Sequence, residues 1–285
     1  MANYSKQWSS ANPGRLIILI DQSGSMSETY FDGESKAVFA AKAVNNVIET
    51  VINRNFSSEL PKDRCRIAVI GYGDNTHLLC EGSLSELSAL PEGTAKVIKK
   101  INSGDGTVTE VEILKPYWIK PVSAGCTNMA GAFLDAQILI EKYIDERPDA
   151  PAPVIISISD GQPNTGGGFD EVRNIVQSIA DITTDDGAPL VFNAHIEANG
   201  FNCRFPASKD DIPRSEHAGF MFDISSIIPP SYRSSAEKND IKLKENARGC
   251  MIGTDAEGLI ALIDTGSSKA RIELPAHEAE NECAG

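Results

Sequence analysis

The sequence lacks the closely spaced cysteines and histidines that bind zinc. Its six cysteines form no C-x-x-C pair, and its four histidines are scattered along the chain. Disulfide frameworks are typical of short secreted chains, whereas this chain has 285 residues and shows no secretion signal. These absences lead us to expect neither a zinc site nor structural disulfides.

Long apolar runs are also missing. No segment approaches the roughly 18 apolar residues of a membrane-spanning helix. The N-terminal stretch "MANYSKQWSSANPGR" contains no apolar core of signal-peptide length, and a strand-like segment follows it directly. We therefore expect a soluble protein that stays in the cytoplasm.

Basic residues are few relative to acidic ones. The chain has 26 Lys and Arg against 40 Asp and Glu, which gives a formal net charge of −14 and a pI of about 4.8. A surface of this sign repels nucleic-acid phosphate and anionic lipid. We therefore expect neither a nucleic acid nor a membrane among the partners.

Short apolar runs alternate with longer amphipathic ones along the chain. The apolar runs predict strands over residues 15–20, 64–73, 152–159, 189–196 and 219–224. The amphipathic runs predict helices over residues 35–53, 128–143, 169–183, 232–247 and 255–262. This alternation predicts an α/β fold, a doubly wound, mostly parallel sheet with helices on both faces. The stretch "THLLCE" after the second strand predicts one antiparallel edge strand.

The predicted domain organisation is a single domain with small additions. An N-terminal extension over residues 1–14 precedes one domain over residues 15–264. This domain contains an insertion over residues 83–121, and a polar C-terminal tail follows it over residues 265–285. Within the insertion we predict a short helix and then a hairpin that turns at Gly104-Asp105-Gly106. The sequence leaves open whether Trp118 is an exposed anchor for a partner or packs over the sheet edge.

Oxygen-bearing side chains follow two of the predicted strands and precede one predicted helix. Asp21, Ser23 and Ser25 follow the first strand, and Asp160 follows the strand over 152–159. Thr127 lies at the predicted start of a helix, where threonine also serves as a cap. In doubly wound sheets, ligands bind outside the carboxyl ends of the strands, at the point where the strand order reverses. We therefore expect these five residues to converge.

The chemistry of this set predicts a metal site. Two carboxylates and three hydroxyls are hard oxygen donors, which suit Mg²⁺, with Mn²⁺ or Ca²⁺ as alternatives. Two negative charges do not saturate such an ion, so it would keep water or accept a carboxylate from outside. We expect no other cofactor.

Three motifs in this order resemble the metal-ion-dependent adhesion site of von Willebrand factor A (VWA) domains. They are D-x-S-G-S-M after the first strand, the threonine of "AGCTN" and the aspartate of "ISDGQPN". The resemblance covers roughly residues 15–263, and it is greatest to bacterial intracellular tellurium-resistance-type (TerY-like) proteins. It implies that Ser23, Ser25 and Thr127 bind the metal directly, and that Asp21 and Asp160 act largely through water.

The resemblance also implies a function. The open coordination position of the metal takes an acidic residue from a protein partner, in a bacterial stress-response, signalling or defence system. A kinase, phosphatase or ATPase encoded nearby is the implied partner. On this basis we expect an interaction module and not an enzyme.

Two alternatives remain at this point. A Mg²⁺-dependent phosphohydrolase or phosphotransferase would use Asp21 as its nucleophile, but haloacid-dehalogenase phosphatases place a second aspartate where this chain has Ser23. No positioned lysine or general base stands out in the sequence. The other alternative is a scaffold whose metal serves only stability.

Overall fold

A computed structural model describes most of the chain, namely residues 4–30, 32–56, 59–102, 108–161, 163–164, 166–197, 202–237, 241–254 and 256–270. The strands in this part are β1 (Gly14–Asp21), β2 (Cys65–Tyr72), β3 (Thr76–Ser83), β4 (Gly93–Asn102), β5 (Val108–Tyr117), β6 (Val154–Ser159), β7 (Leu190–Ile196), β8 (Cys203–Arg204) and β9 (Cys250–Thr254). The α-helices are α1 (Lys36–Asn53), α2 (Leu84–Ala89), α3 (Met129–Glu146), α4 (Gly168–Asp181), α5 (Glu216–Asp223), α6 (Pro230–Glu237) and α7 (Ala256–Gly266).

Seven of these strands form one sheet in the order β3-β2-β1-β6-β7-β9-β8. Its central strands β2, β1, β6, β7 and β9 are parallel, and β3 is the predicted antiparallel edge. The two-residue strand β8 adds a second antiparallel edge that was not predicted. The predicted fold class, a mostly parallel α/β sheet with an antiparallel edge, is confirmed.

Alternating side chains of the central strands build two hydrophobic cores, one on each face of the sheet. All eight residues of β1 are buried; Leu16 and Ile18 pack on one face, and Ile17 and Leu19 on the other. The first core is closed mainly by α1, α6 and α7, and the second by α3, α4 and α5. A strand that is apolar on both faces therefore lies between two layers of helices, as expected for a central parallel strand.

The predicted insertion forms a helix and a separate two-stranded ribbon. Strands β4 and β5 pair over ten residues each and join no other strand of the described chain. The ribbon meets the domain at its base, where Trp118 is 4% exposed and its indole N–H donates to the Leu87 carbonyl, 2.8 Å away. Trp118 thus belongs to the first core and is not an exposed anchor. The predicted turn at residues 104–106 lies outside the described residues.

Four expectations for the C-terminal part need correction. The segment 219–224 is not a strand but belongs to helix α5, whose cap Ser215 accepts a hydrogen bond from the Ala218 N–H. Strand β9 was missed. Of the helix predicted over 232–247, the structure describes α6 over Pro230–Glu237, and residues 241–247 are not helical. At the boundary of the predicted tail, α7 extends to Gly266 and Thr265 is buried. Residues 271–285 of that tail lie outside the described residues.

Two further findings concern the helices and the cysteines. None of the helices in the described part of the chain is both long and apolar enough to cross a membrane. The five cysteines within the described ranges are free; Cys65 and Cys250 are buried, and Cys126 is exposed. Cys283 lies outside the described residues.

Candidate metal centre

The strand order reverses between β1 and β6. The chain runs outward from β1 to β2 on one side, whereas β6, β7 and β9 extend the sheet on the other. Asp21 is the last residue of β1, and Asp160 directly follows β6. Because β1 and β6 are parallel neighbours, both carboxylates lie at the crevice where such sheets bind ligands.

Asp21 is held rigidly at the bottom of this crevice. Its side chain is buried, and its two carboxylate oxygens accept hydrogen bonds from the Ser23 N–H at 2.8 Å and the Ser159 hydroxyl at 2.8 Å. Burial raises the pKa of Asp21, and the hydrogen bonds from Ser23 and Ser159 offset part of that shift. A buried carboxylate of this kind gains stability from a nearby cation.

The two serines connect Asp21 to Asp160. They lie at the start of a 3₁₀ turn, Gly24–Ser27, with their hydroxyl oxygens 3.2 Å apart. The Ser25 hydroxyl donates to Asp160 Oδ1 at 2.7 Å. The side chain of Asp160 is completely buried, so its carboxylate faces the crevice and not the solvent.

Thr127 enters the crevice from the loop before α3. Its N–H donates to Asn164 Oδ1 at 2.7 Å, and its carbonyl accepts from the Asn164 N–H at 3.3 Å. A Cβ atom added at Gly161 would lie 3.7 Å from Thr127 Oγ1 and 3.9 Å from Ser25 Oγ. The two hydroxyls therefore border the same small space, which the missing side chain of Gly161 leaves open.

Backbone hydrogen bonds join the first of these loops to the threonine loop. The Gly24 N–H donates to the Gly125 carbonyl at 3.0 Å, and the Ala124 N–H donates to the Gln22 carbonyl at 2.7 Å. Gly125 has a φ of 78°, a left-handed conformation that glycine adopts without strain. All five predicted site residues are thus brought together, and the loops that carry them are fastened to one another.

Lys36 is a member of this cluster that the sequence did not reveal. It is the first residue of α1, and its Nζ lies 2.9 Å from Asp160 Oδ2 and 2.6 Å from Glu28 Oε2. Burial disfavours its charge, but the hydrogen bonds with Asp160 and Glu28 outweigh burial and raise the pKa of Lys36. The expectation that no lysine is positioned at the site was therefore wrong. Sequence offers no signal for this contact, because 124 residues separate Lys36 from Asp160.

A histidine pair lies behind the Asp160 loop. His195 Nε2 is 3.3 Å from the Asp160 carbonyl oxygen, and the ring centroids of His195 and His217 are 4.5 Å apart, with the rings tilted by 54°. Burial lowers the pKa of both rings, that of His217 to about 4. Burial therefore favours the neutral form of both rings, and His195 lies against the backbone of the Asp160 loop.

The donor set fits a hard divalent cation. No group of three or more His, Cys, Asp or Glu side chains within the described ranges is arranged to hold a metal, so hydroxyls would have to complete the coordination. Ser23, Ser25 and Thr127 supply them beside the Asp21 and Asp160 carboxylates, and Gly161 leaves the space. Oxygen-only donors of this kind suit hard divalent cations such as Mg²⁺, Mn²⁺ or Ca²⁺.

Comparisons with known proteins give low similarities. No family model matches the chain, and no curated protein matches it. One similar solved structure is a von Willebrand factor type A protein from Catenulispora acidiphila, at 15% identity and a TM-score of 0.38. The match covers 65% of this chain and 33% of the chain of that protein. A second similar structure is an aerotolerance-related membrane protein from Bacteroides fragilis, at 13% identity and a TM-score of 0.46. That match covers 90% of this chain and 99% of the chain of that protein.

A third similar structure is proximal thread matrix protein 1 from the mussel byssus, described with a zinc-occupied MIDAS motif (metal-ion-dependent adhesion site). It is 12% identical, with a TM-score of 0.40, and covers 68% of this chain and 38% of its own. The chain thus spans well under half the length of the first and third of these proteins. At TM-scores of 0.38 to 0.46 none of them assigns a function. What is known of this chain therefore comes from its own structure, namely the strand order of the sheet and the crevice of oxygen donors at the point where that order reverses.

Proposed function

We propose that the crevice binds one divalent cation, Mg²⁺ in the first instance, and that this site attaches an acidic group of a partner protein. Ser23, Ser25 and Thr127 would hold the cation directly, and Asp21 and Asp160 would supply charge and hold its waters. When bound, the cation supplies the positive charge to which an outside carboxylate attaches. The proposal assigns no catalytic residue.

One observation carries the proposal. The hydroxyls of Ser25 and Thr127 border one space beside Gly161, and Ser25 also contacts Ser23 and Asp160. A serine network that served only to shape a turn would have no need to place hydroxyls from separate loops around an open space. Asp21 and Asp160, both with buried side chains, also repel each other, and a cation between them would relieve that repulsion.

The nature of the partner follows from charge and from the family resemblance. The chain carries a net charge of −14, which disfavours nucleic acid and anionic membranes. An acidic protein segment would be repelled as well, unless a metal bridges the two surfaces. We place the protein in a bacterial, cytoplasmic stress-response, signalling or defence system, with a kinase, phosphatase or ATPase encoded nearby as its partner.

Calorimetric titration of Mg²⁺ tests the metal site. We expect the wild type to bind and Ser25→Ala to bind at least about tenfold more weakly, because a donor is lost. Ser27→Ala is the matched control, since Ser27 lies on the same turn but donates to the Gly24 carbonyl, outside the centre. Equal affinities of the wild type and Ser25→Ala would refute the proposed centre.

A pull-down from the native host tests the partner. The wild type should retain a partner in Mg²⁺ and lose it in chelator, and Thr127→Val, which keeps the side-chain shape, should not retain it in either condition. A partner that binds both proteins equally in both conditions would favour a metal with a purely structural role.

An enzyme assay tests the other alternative. We expect no Mg²⁺-dependent hydrolysis of p-nitrophenyl phosphate by the wild type. Turnover that is lost in Asp21→Asn and kept in Asp170→Asn, a change at an exposed helical residue, would contradict the binding proposal.

A further inference from the structure

Lys36 places a positive charge in the wall of the candidate centre. Its side chain is 8% exposed, and its ammonium group contacts the fully buried carboxylate of Asp160. The opposite contact, Glu28, lies at the rim with 65% of its side chain exposed. The Lys36 N–H also donates to the Glu28 carbonyl at 3.0 Å, so both the backbone and the side chain of Lys36 are fixed at this place.

This charge alters the balance of the centre. The Asp21 and Asp160 carboxylates alone would neutralise a divalent cation. Lys36 cancels one of their two charges, and the Glu28 carboxylate offsets the ammonium group only in part, because it is 65% exposed and screened by solvent. A divalent cation held there therefore leaves the buried part of the cluster with a net positive charge. Because charges in a buried environment interact strongly, the ammonium group opposes metal entry.

Asp160 is also held by contacts that do not involve Lys36. Asp160 directly follows β6, and its Oδ1 accepts the Ser25 hydroxyl at 2.7 Å. The His195 ring lies against its carbonyl oxygen. Removal of the Lys36 charge should therefore leave the aspartate in place and change mainly the electrostatic free energy of metal binding.

We propose that Lys36 limits the affinity of this centre for divalent cations. The inference rests on the function proposed above and identifies a determinant of the same site. The free protein holds the metal weakly, and the positive charge that remains on the loaded centre favours an anionic group from outside. Without Lys36 the two buried carboxylates balance a divalent cation, and the centre binds it more tightly.

Titration of Mg²⁺ into Lys36 variants tests this role. Lys36→Met keeps the length of the side chain and removes its charge, and we expect it to bind about tenfold more tightly than the wild type. Lys36→Arg, which keeps the charge, should stay within about threefold of the wild type. Lys42→Met is the matched control on the same helix, where Lys42 pairs with Glu34 away from the centre, and it should leave the affinity unchanged.

Glu28→Gln separates an effect of charge from an effect of structure. This variant removes a negative charge from the same cluster and should weaken Mg²⁺ binding, by no more than about threefold because Glu28 is exposed. A lysine that only held the loop in place would give weaker binding in both Lys36→Met and Glu28→Gln. Opposite signs support the proposal, and Lys36→Met binding no tighter than the wild type overturns it.

The experiment also separates this proposal from the one on which it rests. Absence of binding by the wild type and by every variant would overturn the metal centre itself. Binding by the wild type with an unchanged affinity in Lys36→Met would overturn only the role of Lys36. If Lys36→Met does not fold without metal, Lys36→Gln, which is polar but uncharged, takes its place, and binding by that variant no tighter than by the wild type overturns the proposal.

Discussion

The side chain that is missing at Gly161 matters as much to the centre as the donors that are present. A methyl group there would occupy the space that the Ser25 and Thr127 hydroxyls border. Gly161 has an ordinary backbone conformation, so alanine fits without strain. We expect Gly161→Ala to weaken Mg²⁺ binding about tenfold or more, as measured by calorimetry, with the melting temperature in chelator unchanged.

Gly219→Ala is the matched control for this prediction. Gly219 lies in helix α5, and a Cβ atom there would meet nothing within 4 Å. Alanine in a helix should stabilise the protein by about 0.5–1 kcal/mol and leave metal binding unchanged. If Gly161→Ala bound Mg²⁺ as tightly as Gly219→Ala, the space beside Gly161 would not be part of the centre.

The raised pKa of Asp21 predicts that the stability of the metal-free protein depends on pH. Its pKa is raised in the folded state, so its contribution to stability is full below its ordinary pKa and is lost as the pH rises through the folded value. Asp21→Asn removes this loss and keeps partners for Ser23 and Ser159. In chelator at neutral pH we expect its melting temperature to exceed that of the wild type by about 2 °C or more.

The same variant should lose metal binding, so stability and binding move in opposite directions. Thermal melts between about pH 4 and pH 8 should show the gap to the wild type closing toward acid. Asp170→Asn, at an exposed ion pair of α4, should show no such gap. A less stable Asp21→Asn at neutral pH would contradict the prediction.

At the residue scale the sequence predicted the donors but not their surroundings. Asp21, Ser23, Ser25, Thr127 and Asp160 could be found because each follows a strand or precedes a helix whose pattern is strong. Lys36 could not, because a lysine in the first turn of an amphipathic helix resembles any solvated lysine. The Ser159 hydroxyl that fixes Asp21 was missed because it looks like an ordinary strand residue.

At the element scale, the β4–β5 ribbon should be separable from the rest of the fold. Ala95 pairs with Lys115, and Lys115 is anchored to α1 through Glu49 at 3.1 Å. Replacing residues 96–114 by Asn-Gly, a two-residue hairpin turn, keeps this anchor. We expect the melting temperature to change by less than about 3 °C and Mg²⁺ affinity to be unchanged.

The base of the ribbon should behave differently. Trp118 is buried and hydrogen-bonded, so Trp118→Ala should cost about 3–5 kcal/mol of unfolding free energy in a denaturant titration. A shortened ribbon that destabilised the protein as much as Trp118→Ala would show that the ribbon belongs to the core of the domain.

Long, two-faced strands and capped helices were predictable as elements, and short segments were not. The run "GFMFDI" is apolar and aromatic enough to look like a strand, but the Ser215 cap and packing in the second core make it helical. Strand β9 has five residues and exists through pairing with β7, which lies far away in sequence. Such long-range pairing leaves no local pattern.

At the scale of the whole molecule, excess negative charge should make salts stabilise the protein. A net charge of −14 opposes compaction, and screening by NaCl should raise the melting temperature. MgCl₂ at the same ionic strength should raise it further, because a bound cation stabilises the folded state by about 2.7 kcal/mol at one hundred times its Kd. Differential scanning calorimetry measures both effects.

Thr127→Val separates the two contributions, since it should keep the rise in NaCl and lose the additional rise in MgCl₂. Equal melting temperatures of the wild type in the two salts would show that Mg²⁺ acts only by screening. The fold class was predictable at this scale because the alternation of strands and helices, together with right-handed crossovers, leaves few arrangements of a parallel sheet.

Asn164 makes both of the hydrogen bonds that join the Thr127 backbone to the loop after β6. It offers no oxygen to the centre in this arrangement, yet it fixes the position of the Thr127 loop relative to the loop after β6. A related chain could therefore keep every aspartate, serine and threonine of the motifs and still be unable to hold an ion, having lost one amide. A search for such proteins by their donors alone would count that chain as competent, and the asparagine would tell the two apart.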